Sequence, residues 1–233
     1  MLASAITRAM TDFPFAIVGF DLDGTLVDST GDLANAVNHV LGSIGREPLP
    51  RAAIAAMIGG GARRMLRLAL EASGGTPETF EALHSRLLEY YAVHIAVETR
   101  LFPGALAAIE ALRLRGVRIA LITNKLEALS RKLLDALGAT DRFDLILGGD
   151  SLGSGTAKPS PAMLHAMVER LGGGRAVLVG DSRFDIAAAR AAGMACVAVA
   201  FGADDAHALG ADAVIDRFDA LVPTLETLGQ TGV

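Results

Sequence analysis

A chain of 233 residues with 52% hydrophobic content is long enough for one sizeable core, or a core with a smaller appendage. Aromatic residues make up only 5% and Trp is absent, so that core must rest on Ala, Leu, Val and Ile. A net charge of −5, with 21 scattered Lys and Arg residues, argues against a nucleic-acid surface, and the single cysteine, Cys196, excludes an internal disulfide or a cysteine-rich metal site.

The first element in chain order is the apolar run Ala16–Phe20, which reads as a short buried strand. It runs directly into Asp21-Leu22-Asp23-Gly24-Thr25. Two carboxylates so close disfavour joint ionisation unless a cation or a hydrogen-bond donor compensates. Residues 29–100 then carry helical spacing alone: Leu33, Val37, Val40, Leu41 and Ile44; Met65, Leu66 and Leu70; Leu83, Leu87, Leu88 and Tyr91. No strand is expected there. Ser29 or Thr30 is placed to cap the first of these helices, with Asp28 as a helix-entry or hinge residue.

From Leu101 the rhythm changes to alternating helix and strand. Helices are expected from Pro103-Gly104 to Arg115, over Leu126–Leu137, Pro161–Leu171 and Asp185–Ala192, with Gly116, Gly138, Gly172 and Gly193 as stops. Strands are expected at Val117–Ile122, Asp144–Leu147, Ala176–Val179, Ala195–Ala200 and Ala213–Ile215. The tail after Leu228 is expected to fray. Cys196 lies in an apolar strand and reads as a buried structural thiol. This repetition implies an α/β fold: a Rossmann-like parallel sheet flanked by helices, built from residues 1–28 and 101–233, with an all-helical cap from 29–100 inserted after the first strand. No segment approaches the about 18 apolar residues of a membrane span, and Met1–Thr11 lacks the apolar stretch of a signal peptide. A soluble cytoplasmic protein is expected, with neither nucleic acid nor membrane as partner; its oligomeric state is left open.

Polar residues gather where the strands end: Asp21 and Asp23 after the first, Thr123 and Asn124 after the second, Lys158 in the loop after the third, Asp181 and Asp185 after the fourth. In a parallel sheet these ends share one edge, where such folds bind ligands. Each residue type suits phosphoryl chemistry. A carboxylate at Asp21 can attack phosphorus, and Asp23 can protonate the departing alkoxide and later accept a proton from water. Thr123 and Asn124 offer neutral donors to phosphoryl oxygens, and Lys158 offers a full charge. Asp181 adds a hard oxygen ligand of the kind Mg²⁺ prefers. Gly59-Gly60-Gly61 before a helix reads either as a flexible connection or as a substrate loop, in which helix amides with Arg63 or Arg64 hold a substrate carboxylate. Asp-x-Asp-Gly fails as a calcium loop because the later glutamate is missing, and Gly153–Lys158 has the wrong spacing for a nucleotide phosphate loop.

The ordered set Asp21-Leu22-Asp23-Gly24-Thr25-Leu26, Thr123-Asn124, Lys158 and Gly180-Asp181-Ser182-Arg183-Phe184-Asp185 resembles the four motifs of the haloacid dehalogenase superfamily. The resemblance implies Asp21 as nucleophile and Asp23 as general acid/base. It implies Mg²⁺ held by the Asp21 carboxylate, the Asp23 backbone carbonyl and Asp181, with Asp185 as support or an additional ligand. True dehalogenases lack the second aspartate of the first motif, so Asp23 points to phosphoryl transfer. Thr123-Asn124-Lys125, Tyr90–His94, Leu101–Gly104 and Gly148-Gly149-Asp150 make the chain look most like the phosphoglycolate phosphatases, which implies a small phosphorylated metabolite as substrate. Phe184 departs from the pattern, since relatives often carry a polar residue there. A broad sugar-phosphate phosphatase, a pyrophosphatase or a sugar phosphomutase of the superfamily is the open alternative, as is a non-catalytic binding protein on the same scaffold.

Overall fold

The computed structural model describes residues 13–77, 79–202 and 204–230. The readings of Met1–Thr11 and of the last three residues lie outside them. Six strands form one parallel sheet: β1 Ile17–Phe20, β4 Arg118–Ile122, β5 Leu145–Leu147, β6 Ala176–Gly180, β7 Ala195–Val199 and β8 Ala213–Ile215, in the spatial order β5-β4-β1-β6-β7-β8. The chain builds outward from β1 on one side through β4 and β5, then returns to its other side for β6, β7 and β8. The carboxyl end of β1 is therefore the topological switch point, where an open parallel sheet leaves a crevice.

Apart from Arg118 at the start of β4, the strands are apolar because both faces are covered. Val18, Phe20, Ile119, Leu121, Val177, Val179, Val197 and Val199 all face one core. That core is shared with helices α5 (Ala105–Arg113), α6 (Glu127–Ala136) and α9 (Leu221–Gln230). The alternate residues Ile17, Ala120, Ile122, Leu178, Cys196 and Ala198 pack on α7 (Ala162–Arg170) and α8 (Arg183–Ala191). Cys196 is buried in this second layer, and burial pushes its thiol well above the ordinary range.

Between β1 and β4 lie α1 (Thr30–Ser43), α2 (Arg51–Ala55), α3 (Ala62–Ala72) and α4 (Phe80–Val93). Helix α1 packs on α4 and α2, and α3 packs on α4. Their buried residues, among them Leu33, Val37, Leu66, Leu70 and Leu87, join the first core without a break. At the base of this helical segment, β2 (Val27–Asp28) and β3 (Arg100–Leu101) pair antiparallel, Val27 opposite Leu101 and Asp28 opposite Arg100. The expectation of no strand over residues 29–100 is thus corrected at its last residue. Above the ribbon, the buried carboxylate of Asp32 accepts the N–H groups of Glu98 (3.0 Å) and Thr99 (2.8 Å) and the Thr99 hydroxyl (2.7 Å), tying the outgoing helix to the returning strand.

Two further expectations change. Ser29 occupies the N-cap position of α1, yet its hydroxyl donates to Asp23 and accepts no helix N–H; Asp28 accepts the Thr30 N–H instead (3.1 Å). The tail does not fray at Leu228, because α9 continues through Gly229 to Gln230, with Leu221, Leu225 and Leu228 buried. Among the described residues, no helix is long and apolar enough to cross a membrane.

Candidate active site

Asp21 continues the β1–β6 ladder by one residue, its N–H donating to Val179 O at 2.9 Å. The chain then curls tightly: the N–H groups of Leu26 and Val27 both donate to Leu22 O, while Leu22 and Leu26 are buried as anchors. Gly24 sits in this curl at φ 85°, and a Cβ there would lie 2.2 Å from Asp181 Oδ2. Gly202, on the far side, would place a Cβ 2.1 Å from the Asp181 Cβ. Two loops can therefore close on Asp181 only because neither carries a side chain. Thr25 adds a hydrogen bond from its hydroxyl to Asp181 Oδ1 (3.2 Å).

Lys158 reaches the same edge from the loop after β5. Its ammonium is buried and donates to Ile122 O (2.8 Å) and Asp185 Oδ1 (2.6 Å). It also lies 2.8 Å from Asp21 Oδ1, as an ion-pair contact outside the directions of a hydrogen bond. Burial opposes the Lys158 charge, but Asp185 and Asp21 outweigh it and hold its pKa above the ordinary lysine value. Burial raises Asp21 from its ordinary 3.8 to about 6; Lys158 opposes that rise and Asp185 adds to it. Asp185 is the N3 residue of α8, and its Oδ2 accepts both the N–H (3.0 Å) and the hydroxyl (2.6 Å) of Ser182, the N-cap. With Oδ1 on Lys158 and Oδ2 on Ser182, Asp185 is a strut that aims the ammonium at Asp21. Oxygens of Asp21, Asp181 and Asp185 nevertheless all lie within 4.8 Å of one another, and all three residues are buried. Three carboxylates against one lysine leave an excess of negative charge, and this set of hard oxygens suits a divalent cation.

Asp23 turns toward the helical segment. Its carboxylate accepts Lys125 Nζ at 2.9 Å and 3.0 Å and the Ser29 hydroxyl at 2.6 Å. The Lys125 ammonium stands 4.5 Å from the centre of the Tyr91 ring on α4. Burial works against the Lys125 charge too, and Asp23 and Tyr91 overcome it; burial pushes the Tyr91 hydroxyl up to about 12. Sequence reading assigned no site role to Lys125, Ser29 or Tyr91. The available signal was the position of Lys125, immediately after Thr123-Asn124 at the end of a buried strand.

Thr123 is buried, and its hydroxyl oxygen accepts the Lys125 N–H (3.2 Å), which leaves the hydroxyl proton to donate. Asn124 Nδ2 donates to Gly59 O (2.9 Å) and Lys158 O (3.0 Å), so this amide ties the loop before α3 to the sheet edge. Between them lies a cavity lined by Asp21, Asp23, Thr123 and Lys125 at one end and by Leu33, Ile58, Met65, Leu87 and Leu129 around its walls. Gly59, Gly61 and Ala62 also border it, but neither arginine expected to serve the loop does. Arg63 turns outward into a bidentate pair with exposed Glu81. Arg64 lays its guanidinium over the Phe184 ring (5.3 Å), from which Arg183 stacks at 5.4 Å on its own account. Phe184 is thus a contact between α8 and the helical segment.

The residues of the four motifs meet at one sheet edge. The sequence model of haloacid dehalogenase-like hydrolases matches residues 15–193. The chain belongs to this family. Among relatives of this hydrolase, the phosphoglycolate phosphatase of Neisseria meningitidis is 42% identical over 200 residues, 84% of each chain. That of Caulobacter vibrioides is 38% identical over 213 residues, 89% of each chain. The solved structure of a predicted phosphoglycolate phosphatase from Haemophilus somnus superposes with a TM-score of 0.85 at 30% identity, over 91% of the hydrolase and 98% of that chain. CbbY from Rhodobacter sphaeroides, crystallised in complex with phosphate, gives a TM-score of 0.75 at 25% identity, over 89% of the hydrolase and 96% of that chain.

Proposed function

We propose that this hydrolase is a Mg²⁺-dependent phosphomonoesterase that cleaves 2-phosphoglycolate to glycolate and phosphate through an aspartyl-phosphate on Asp21. The observation that carries the reading is the buried Asp21 carboxylate, 2.8 Å from the Lys158 ammonium at the floor of a cavity that also holds Asp23. The relatives named above support the choice of substrate, and the apolar walls favour a small leaving group shielded from water.

In the first half-reaction an Asp21 oxygen forms a bond to phosphorus as the bond to the ester oxygen breaks. The departing electron pair stays on that oxygen, and the carboxylic acid of Asp23 donates the proton that makes it a hydroxyl. In the second half, Asp23 takes a proton from water, the water oxygen bonds to phosphorus, and the bond to Asp21 breaks to restore the carboxylate. Lys158 and the Thr123 hydroxyl stabilise the phosphoryl oxygens throughout. Asp21, Asp181 and the Asp23 backbone carbonyl would hold the cation, which when bound offsets the repulsion between carboxylate and phosphate dianion. The helices of residues 29–100 act as a cap that closes the cavity, hinged at the β2–β3 ribbon.

The test is release of inorganic phosphate from a metabolite panel containing 2-phosphoglycolate, with Mg²⁺ and without any bisphosphate primer. Turnover of 2-phosphoglycolate above the other esters is expected, with a phosphoryl label recovered on Asp21. Turnover that requires a bisphosphate primer, or none on any monoester, overturns the reading.

A further inference from the structure

We propose that Lys125 is the specificity-determining residue of this site, the cation that recognises a carboxylate one carbon away from the ester oxygen. The inference rests on the phosphomonoesterase reading and deepens it.

Lys125 is the one cationic side chain among the described residues that line the cavity. Lys158 lies outside that lining, held by Asp185 and Ile122 O beside Asp21 at the phosphoryl end of the site. Arg63 and Arg64 face Glu81 and Phe184. Of the other polar residues in the lining, Asp21 and Asp23 are anionic and Tyr91, Thr123 and Asn124 are neutral, so a leaving-group carboxylate placed elsewhere would be buried without an opposite charge. The Lys125 ammonium lies 2.9 Å from Asp23 Oδ1 and 3.0 Å from Oδ2. An ester oxygen receiving its proton from Asp23 therefore sits about two hydrogen-bond lengths from Nζ. In a phosphorylated 2-hydroxy acid the carboxylate carbon is two bonds from that ester oxygen, which brings its oxygens within reach of the same ammonium. An ammonium has three N–H groups, and the two contacts to one carboxylate leave capacity for a second anion. The Tyr91 ring holds the ammonium from the other side, so this recognition is complete only when α4 stands over the sheet edge.

A residue that merely positioned Asp23 would act on every substrate alike. The experiment therefore compares 2-phosphoglycolate with 2-hydroxyethyl phosphate, which replaces the carboxylate by a neutral hydroxymethyl group, in the Mg²⁺-loaded enzyme and in Lys125→Met. The wild type is expected to prefer 2-phosphoglycolate. The variant should lose roughly 10- to 100-fold of that preference in kcat/KM, mainly through KM, as expected for one charge-assisted hydrogen bond. Lys125→Arg should keep most of it. The inhibition constant of inorganic phosphate should stay within a few-fold in both variants, which reports a folded site; Lys125→Gln replaces the Met variant if the latter does not fold. An equal fall on both substrates makes Lys125 a positioning residue and overturns the proposal. So does a wild-type enzyme that does not discriminate between the two esters. A wild type inactive on 2-phosphoglycolate but active on other monoesters overturns the substrate assignment as well, a result distinct from an unmoved preference.

Discussion

Asp21 is held at a cost to the fold, and that cost is measurable. In the metal-free protein its pKa stands at about 6 against an ordinary 3.8, chiefly because it is buried. At about 1.4 kcal/mol per pKa unit, the ionised side chain destabilises the folded state by about 3 kcal/mol above pH 6. Asp21→Asn removes the charge while keeping the shape. Lys158 is not orphaned by the change, since Asp185 (2.6 Å) and Ile122 O (2.8 Å) still hold it. The variant should therefore be more stable than wild type by up to about 3 kcal/mol at pH 8 in excess chelator, a rise in Tm of about 6–12 °C for a chain of this size. The direction with pH follows from the raised value. Wild-type Asp21 takes up its proton earlier in the folded state than in the unfolded state, so the wild type regains stability as pH falls from about 6 toward 4. The advantage of the variant should shrink over that window and vanish below it. Urea unfolding in chelator at pH 8, 6 and 4 measures all three values. A variant no more stable than wild type at pH 8, or an increment that stays flat down to pH 4, refutes the reasoning. Adding Mg²⁺ should narrow the gap, because a ligand that binds only the folded wild-type site stabilises it by mass action.

Other perturbations have equally definite outcomes. Removing divalent cations with a chelator should abolish phosphate release, and added Mg²⁺ should restore it; full activity in excess chelator contradicts the cation site. Asp23→Asn should lower kcat by about 10²- to 10⁴-fold, the scale of a lost general acid, while inorganic phosphate still inhibits; near-normal turnover refutes the role of Asp23. Asp32→Ala strips the Glu98 and Thr99 amides of their buried acceptor and should destabilise the protein by about 2–4 kcal/mol in urea unfolding, a loss under about 1 kcal/mol counting against the hinge anchor. Phe184→Ala frees Arg64 from its ring contact, worth about 1 kcal/mol, so limited proteolysis between Gly59 and Gly61 should quicken several-fold; unchanged cleavage refutes the contact as a brace.

How much of this was readable beforehand divides along a physical line. All six strands of the sheet lie where the apolar runs placed them, because strands buried on both faces read as near-continuous apolar runs, and such runs are conspicuous. The meeting of Asp21, Lys158 and Asp181 follows from topology alone, since parallel strands share one carboxyl edge whatever the separation in sequence. Elements of few residues, or with discouraging ones, escaped. The β2–β3 ribbon has two residues per strand, and α9 carries Pro223 and Gly229. Pro223 is tolerated because it falls in the first turn, where its missing N–H has no helical partner to lose.

Side-chain partnerships were the least visible, because a polar residue declares its chemistry but not its direction. Arg63 and Arg64 are adjacent in sequence, yet neighbouring helical positions point about 100° apart, so one reaches solvent and Glu81 while the other reaches the sheet domain. Asp23 and Lys125 stand 102 positions apart, and Asp32 and Thr99 stand 67 apart. Each pair looks unremarkable until the fold sets its members together. Phe184 shows the same logic from the opposite direction. It stood out as a departure from the family pattern, an aromatic ring where a polar side chain is common, and on its own helix the adjacent Arg183 stacks on it. Its partner is Arg64, on a helix inserted between β1 and β4, and the two residues make sense only as a pair between α3 and α8.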